Sequence, residues 1–259
     1  MFYLPEFKHI ELGAFSIETF RVFGYLAAFI GAWLFLREAK KRKFDDKESW
    51  MALASAAIFL VLGARLFYYF GPWSWDRGWV FSERIIKYFS FFGSGLVFYG
   101  GLIGAICGIY LYCKVRKADF WRHADVFALA APIIVAVGRM GCFFSNDSCR
   151  GVFTDVPWGI IRYSGERIVT EATHPARLYS IFAMLVLFFV LKKLDKKKHF
   201  DGYIALVFLM SYSVVRFLVE AIKKYSWHFL GLTASQIISI AVFGFALVVF
   251  LKKRKLNRK

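Results

Sequence analysis

The sequence predicts an all-α fold: a polytopic membrane helix bundle of seven transmembrane helices, with the N-terminus outside and the C-terminus in the cytoplasm. Three observations predict it. Of 259 residues, 59% are apolar and 20% aromatic, and the mean hydropathy is +0.51, above the roughly half-apolar make-up of a water-soluble domain. The apolar residues gather in seven runs, near 15–36, 51–70, 91–112, 122–144, 176–191, 203–222 and 232–251. Each holds about 16 to 23 residues, which at about 1.5 Å per residue matches roughly 30 Å of hydrocarbon. Finally, 21 of the 35 Lys and Arg residues fall in every second connection.

Taken in order, the run at 15–36 leads into 37–50, which holds Arg37, Lys40, Lys41, Arg42, Lys43 and Lys47. The run at 51–70 leads into 71–90, a segment rich in Trp, Phe and Tyr of the kind that settles at a membrane interface. The third run carries Gly100, Gly104 and Gly108 at four-residue spacing, a small-residue face that admits a close neighbouring helix. Four basic residues follow in 113–122. The fourth run leads into 145–175, a long polar segment with turn-formers at Asn146, Asp147, Gly151, Pro157, Gly159 and Gly165, read as an outward-facing head or lid. The fifth run is followed by five lysines in 192–201, and the seventh by six basic residues in 252–259. The positive-inside rule turns this alternation into the orientation above. It also assigns the net charge of +17 to topology, so no nucleic-acid partner is expected. The four cysteines follow no paired ligand spacing, and neither a metal nor a cofactor is expected. The chain reads as one domain over 1–259.

Inside or at the ends of the runs stand Arg21, Arg65, Arg139, Arg177 and Arg216. In the deduced orientation all five lie within roughly 10 Å of the outer boundary at 1.5 Å per residue. Arginine in lipid is costly. Arg21 and Arg177 are near enough to an end to snorkel to headgroups. Arg139 and Arg216 sit deeper than an end requires, beside small or polar residues. Glu220, four residues after Arg216, shares its helix face. Guanidinium forks at one depth predict an anionic ligand, and a phospholipid phosphate is the anion available there. Tyr99 falls at the same level, either as a packing ring or as a hydroxyl directed at that pocket.

These residues fall in blocks that resemble one family along nearly the whole chain. Leu12-Gly13-Ala14-Phe15-Ser16-Ile17 is similar to its opening. Phe98-Tyr99-Gly100-Gly101-Leu102-Ile103-Gly104 resembles its His-Gly-Gly-Leu-Ile-Gly element. Gly138-Arg139-Met140-Gly141-Cys142-Phe143-Phe144 resembles its Gly-Arg-x-Gly-Asn-Phe stretch. His174-Pro175-Ala176-Arg177-Leu178-Tyr179, Arg216-Phe217-Leu218-Val219-Glu220 and Gly231-Leu232-Thr233-Ala234-Ser235-Gln236 are similar to the remaining blocks. The family is the prolipoprotein diacylglyceryl transferases. The resemblance implies an enzyme of the bacterial inner membrane, with its site toward the outer leaflet and a periplasmic head segment. Its partners would be phosphatidylglycerol, the lipobox of a prolipoprotein signal peptide, and membrane lipids. A diacylglyceryl group would pass to the lipobox thiol, the first step of lipoprotein maturation.

By the same resemblance, Arg139 and Arg216 would hold the phosphate, Glu220 would orient Arg216, and Arg65 would add a further contact. Gly100 and Gly101 belong to the lipid-binding element. Asp147 falls where the family has a glutamate, and with Tyr99 it completes the catalytic set; His174 and Gly151 would support it. The chain also departs from the family. Tyr99 replaces a histidine, and a phenol with reference pKa about 10 is a poor base unless cations lower it. Phe20 stands in place of a tyrosine and Cys142 in place of an asparagine. Cys142 and Cys149 would either pair or remain thiols. These departures raise two alternatives: a diverged member using another lipid or acceptor, and a non-catalytic lipid-binding membrane protein.

Overall fold

The computed structural model describes residues 1–5, 7–12, 15–70, 80–89, 98–145, 151–164, 167–223 and 231–257. The seven apolar runs correspond to seven helices of 19 to 25 residues: α1 (Thr19–Lys41), α2 (Asp46–Phe70), α4 (Phe98–Arg116), α5 (Phe120–Phe144), α6 (Ala176–Asp195), α7 (Tyr203–Ala221) and α8 (Ala234–Leu256). A short helix, α3 (Phe81–Phe89), lies in the aromatic segment. Among the described residues, α1, α2, α5, α7 and α8 are long and apolar enough to cross a membrane. Their outer faces show large apolar side chains, with Phe29 73% and Phe245 64% exposed, as suits a lipid solvent.

Helix ends follow local chemistry. Asp45 receives the amides of Lys47 and Glu48 and caps α2, so that helix starts before its apolar run. Asp119 caps α5 through the Arg122 amide. Lys40 and Lys41, Lys192 and Lys193, and Lys253 to Lys255 extend α1, α6 and α8 past their apolar runs, placing positive charge at the negative ends of the helix dipoles. Thr233 and Gln236 form a reciprocal capping box that opens α8.

Among the described residues, five short strands, which the hydropathy pattern does not contain, modify the all-α expectation: β1 (Phe2–Pro5), β2 (His9–Leu12), β3 (Phe15–Glu18), β4 (Ile160–Ser164) and β5 (Arg167–Thr173). Strands β2 and β3 form an antiparallel hairpin that takes up the first residues of the expected first run. Strand β1 pairs in parallel with β4, with Phe2 opposite Ile160, and β4 pairs antiparallel with β5. The polar segment 145–175 is thus built partly on a small sheet that includes the N-terminus.

Two compact units are distinguished by packing: Met1–Phe35 with Asp125–Lys259, and Leu36–Ala124. In the first, α6 packs on α7 and α7 on α8. Phe35 stacks on Phe127, and Gly31 admits the Ile134 side chain. Asp125, buried in α5, accepts the amides of Gly202 and Ala205 at 2.8 Å each and so satisfies the start of α7. In the second unit, α2 and α4 meet along their glycines. A methyl at Gly100 would collide with the Gly63 carbonyl, one at Gly104 with the Phe59 carbonyl, and one at Gly108 would approach the Ser55 carbonyl. Ser55 Oγ donates to the Gly108 carbonyl at 2.8 Å. The small-residue face expected from sequence is this contact, and α2 is its neighbour.

Candidate active site

The site in the first unit is built at the end of α7. Arg216 and Glu220 are one helical turn apart, and Lys223 follows just past the helix, so the three side chains share one face. Glu220 Oε2 accepts from Arg216 Nη2 at 3.2 Å and from Lys223 Nζ at 3.0 Å. The Glu220 and Lys223 side chains are only 1% and 2% exposed. Arg216 Nη2 also donates to Ser235 Oγ at 3.1 Å, which ties the arginine to the first turn of α8. Arg139, on α5, is half-buried and near enough for its guanidinium to act on Lys223. Burial, chiefly, and the Arg216 guanidinium push the Lys223 ammonium below the usual lysine range. Glu220 opposes that shift, and Arg139 adds to it.

Part of the segment 145–175 packs against this cluster. Gly151 forms an antiparallel bridge with Lys223, and the Val152 amide donates to the Ile222 carbonyl at 2.9 Å. The His174 amide in turn donates to the Val152 carbonyl at 3.0 Å. Gly151 lies so close to His174 that a Cβ there would run into the His174 carbonyl. The His174 ring nitrogen Nδ1 is 3.3 Å from the Tyr179 hydroxyl, which also accepts from Trp158 Nε1 at 2.7 Å. His174 and Gly151, expected as supporting positions, therefore lie in one strip of backbone that ends at Lys223.

The structure treats the other expected residues as follows. Arg177 is buried at the start of α6, whereas Arg21 is exposed and paired with Glu18 at 2.8 Å. Arg65 lies in the second unit, where its Nη2 donates to the Lys87 carbonyl at 3.5 Å. Gly100 and Gly101 are buried against α2 in that unit, and Gly101 packs near Leu60 and Ala64. Phe20, where the family has tyrosine, opens α1 and lies against Gly141 of α5. Cys142 lies on α5. The Tyr99 side chain, Asp147 and Cys149 lie outside the described residues, and with them the question of a Cys142–Cys149 pair.

Among the described residues, the buried cations that escape the sequence reading include Lys223 and Arg162. Lys223 follows an apolar run and so reads as a terminal lysine; only its spacing of three from Glu220 signals a shared face. Arg162, in the middle of β4, is buried with its guanidinium 4.7 Å from the Phe143 ring centre. No hydropathy feature marks it. Among the described residues, the arrangement at the end of α7 pairs Arg216 and Lys223 with Glu220 and brings Arg139 near Lys223, and guanidinium and ammonium groups of this kind can hold a phosphate.

Similarity to known proteins runs through these same residues. A family model described as prolipoprotein diacylglyceryl transferase matches residues 8–252. A phosphatidylglycerol–prolipoprotein diacylglyceryl transferase of Clostridioides difficile (strain 630) is 31% identical over 232 residues, covering 88% of each chain. The protein of the same name from Geobacter sulfurreducens (strain ATCC 51573 / DSM 12127 / PCA) is 32% identical over 270 residues, covering 97% of this chain and 99% of its own. The one from Finegoldia magna (strain ATCC 29328 / DSM 20472 / WAL 2508) is 28% identical over 248 residues, covering 93% and 95%. With the match extending across both compact units and including Arg139, Arg216, Glu220 and Lys223, the chain belongs to the prolipoprotein diacylglyceryl transferase family.

Proposed function

We propose that this protein transfers the diacylglyceryl group of phosphatidylglycerol to the lipobox cysteine of prolipoproteins. The observation that carries the reading is the pairing of Arg216 and Lys223 with Glu220, with Arg139 close to Lys223, in a chain whose relatives bear that activity in their names. In the reaction a thiolate sulfur bonds to the terminal glyceryl carbon. The bond from that carbon to the phosphate oxygen breaks, its electron pair leaves with the phosphate, and glycerol phosphate is released. The thiol proton passes to water or to the departing phosphate. Arg139 and Arg216 hold the phosphate and stabilise its growing charge. Glu220 fixes the Arg216 fork, so little reorganisation is needed as the charge moves. The thiolate is the nucleophile. Tyr99 and Asp147, in the place of the family's histidine and glutamate, take the thiol proton and relay it to water or to the departing phosphate. Arg65 is a further contact for the lipid, while Gly100 and Gly101 serve its element by letting α2 and α4 pack closely.

In this reading the 259-residue chain is one transferase domain crossing the bacterial inner membrane seven times. The N-terminus and the head segment 145–175 face the periplasm, and the site opens to the outer leaflet, where the donor lipid and the tethered lipobox both reside. A diverged donor or acceptor, raised by Tyr99, Phe20 and Cys142, is not favoured by the name the relatives share. The test is incubation of the purified protein with phosphatidylglycerol and a lipobox peptide. A gain of one diacylglyceryl group on the peptide, matched by released glycerol phosphate, is expected. Lipid binding with no modified peptide would refute the reading.

A further inference from the structure

We propose that the ends of α6, α7 and α8 remote from Arg216 hold the phosphate of an anionic phospholipid, bound in a cleft between Lys198 and Arg254. The cleft measures about 380 Å³, and its lining combines these two cations with the rings of His199, Phe200, Tyr203 and Phe250. Among the described residues the lining contains no carboxylate. Tyr203 opens α7, and about 20 Å of helix, at about 1.5 Å per residue, separates it from Arg216. The cleft is thus distinct from the proposed transfer site. The inference goes beyond the transferase reading and borrows from it only the orientation that puts these helix ends at the cytoplasmic leaflet.

Local structure holds the cleft open. Gly202 takes a left-handed φ of 95°, and Asp125 accepts its amide and that of Ala205, which turns the chain sharply into α7. Lys253 Nζ donates to the Asp201 carbonyl at 2.8 Å and ties α8 to the same turn. His199 stacks on Tyr203, with centroids 3.8 Å and planes 5° apart, and Phe200 and Tyr203 each set a ring 5.6 Å from that of Phe250. His199 Nε2 donates to the Leu194 carbonyl at 2.9 Å, since a carbonyl only accepts. From the basic stretches 192–201 and 252–259, this packing brings Lys198 and Arg254, both exposed, to one cleft.

A guanidinium fork and a mobile ammonium beside one cleft suit a phosphate. The apolar surface next to it selects a lipid over a dissolved anion. Leu247, Leu251 and Arg254 recur at helical spacing on α8, and Leu247 and Leu251 are 37% and 52% exposed. Acyl chains lying along that stripe bring their phosphate to Arg254. Rings and cations together suit the level at which helices leave the hydrocarbon, and basic clefts between helices on the cytoplasmic side suit anionic headgroups. A zwitterionic lipid would bring a further cation into a lining that already has two.

The test counts lipids bound to the whole chain in detergent by native mass spectrometry, with phosphatidic acid as the probe and phosphatidylcholine and inorganic phosphate as comparisons. Three proteins are titrated: the wild type, Lys198→Gln with Arg254→Gln, and Lys252→Gln with Lys255→Gln. The last pair removes the same charge from exposed residues of α8 outside the cleft lining. The expected result is one bound phosphatidic acid fewer in the cleft variant, through a site about 10-fold weaker, the range for lost charged hydrogen bonds, while the Lys252 and Lys255 variant binds like the wild type. Added salt should weaken the same binding step. Equal binding by the wild type and the cleft variant overturns the proposal. Equal losses in the two double variants overturn it in favour of a diffuse basic surface. Phosphatidylcholine bound as tightly as phosphatidic acid overturns the anionic headgroup, and displacement of phosphatidic acid by equimolar inorganic phosphate overturns the lipid. Binding is read without turnover, so a chain inactive in transfer would still be expected to hold this lipid.

Discussion

Gly151 shows how one residue can couple the segment before α6 to the cation cluster. Its Cα lies against the His174 carbonyl while its backbone bridges to Lys223. A side chain there must displace His174 or loosen the bridge. Gly151→Ala is expected to destabilise the protein by about 1–3 kcal/mol, the usual range for overpacking, and to lower transfer by more than the loss of folded protein explains. Thermal melting in detergent alongside turnover per folded molecule separates the two effects. At this scale the sequence is legible where a residue is chemically improbable. Arg139 and Arg216 stand out because a guanidinium is out of place in an apolar run. Lys223 does not, because lysine after a membrane helix is ordinary, and burial alone distinguishes it from Lys192 or Lys252. Arg162 is hidden for the opposite reason: it lies on a strand that the hydropathy pattern does not show.

Helices and strands differ in how much of their pairing a local pattern encodes. The glycine stripe of α4 states its own use, since residues four apart share a face, and the face meets the carbonyls of Phe59 and Gly63 on α2. Replacing Gly104 by leucine puts a branched side chain into the Phe59 carbonyl. The Gly104→Leu protein should melt well below the wild type in detergent. Gly24→Ala on α1, where no atom lies within 4 Å of the new methyl, should melt at the wild-type temperature or slightly above it. Equal melting of the two variants would remove the packing role assigned to the stripe. The strands give no comparable signal. Strand β1 has four residues, too few to establish an alternating pattern, and its partner β4 begins only at Ile160. The helix limits depart from the apolar runs wherever polar side chains cap or extend them, as at Asp45 and at Lys192 and Lys193.

At the scale of the whole molecule, two charge distributions organise the chain. One is the Lys and Arg of alternate connections, which the proposed reading uses to orient the chain; the other is the cation cluster at the end of α7, which it proposes as the site. The orientation has a direct test. In a background without the native cysteines, Lys197→Cys should react with a membrane-impermeant maleimide only after the membrane is opened, while Asp155→Cys should react from the periplasmic side at once. The reverse order would turn the site toward the wrong leaflet for its lipobox substrate. The claim on which the rest depends is that arginines within the bundle hold the phosphate of the donor lipid. It is tested most directly by the rate at which Arg139→Ala and Arg216→Ala proteins, folded and in the same membrane, modify a lipobox peptide. Each is predicted to be slower by about 100- to 1,000-fold, the range for removing a group that stabilises developing negative charge. Transfer at the wild-type rate by either variant would contradict the account.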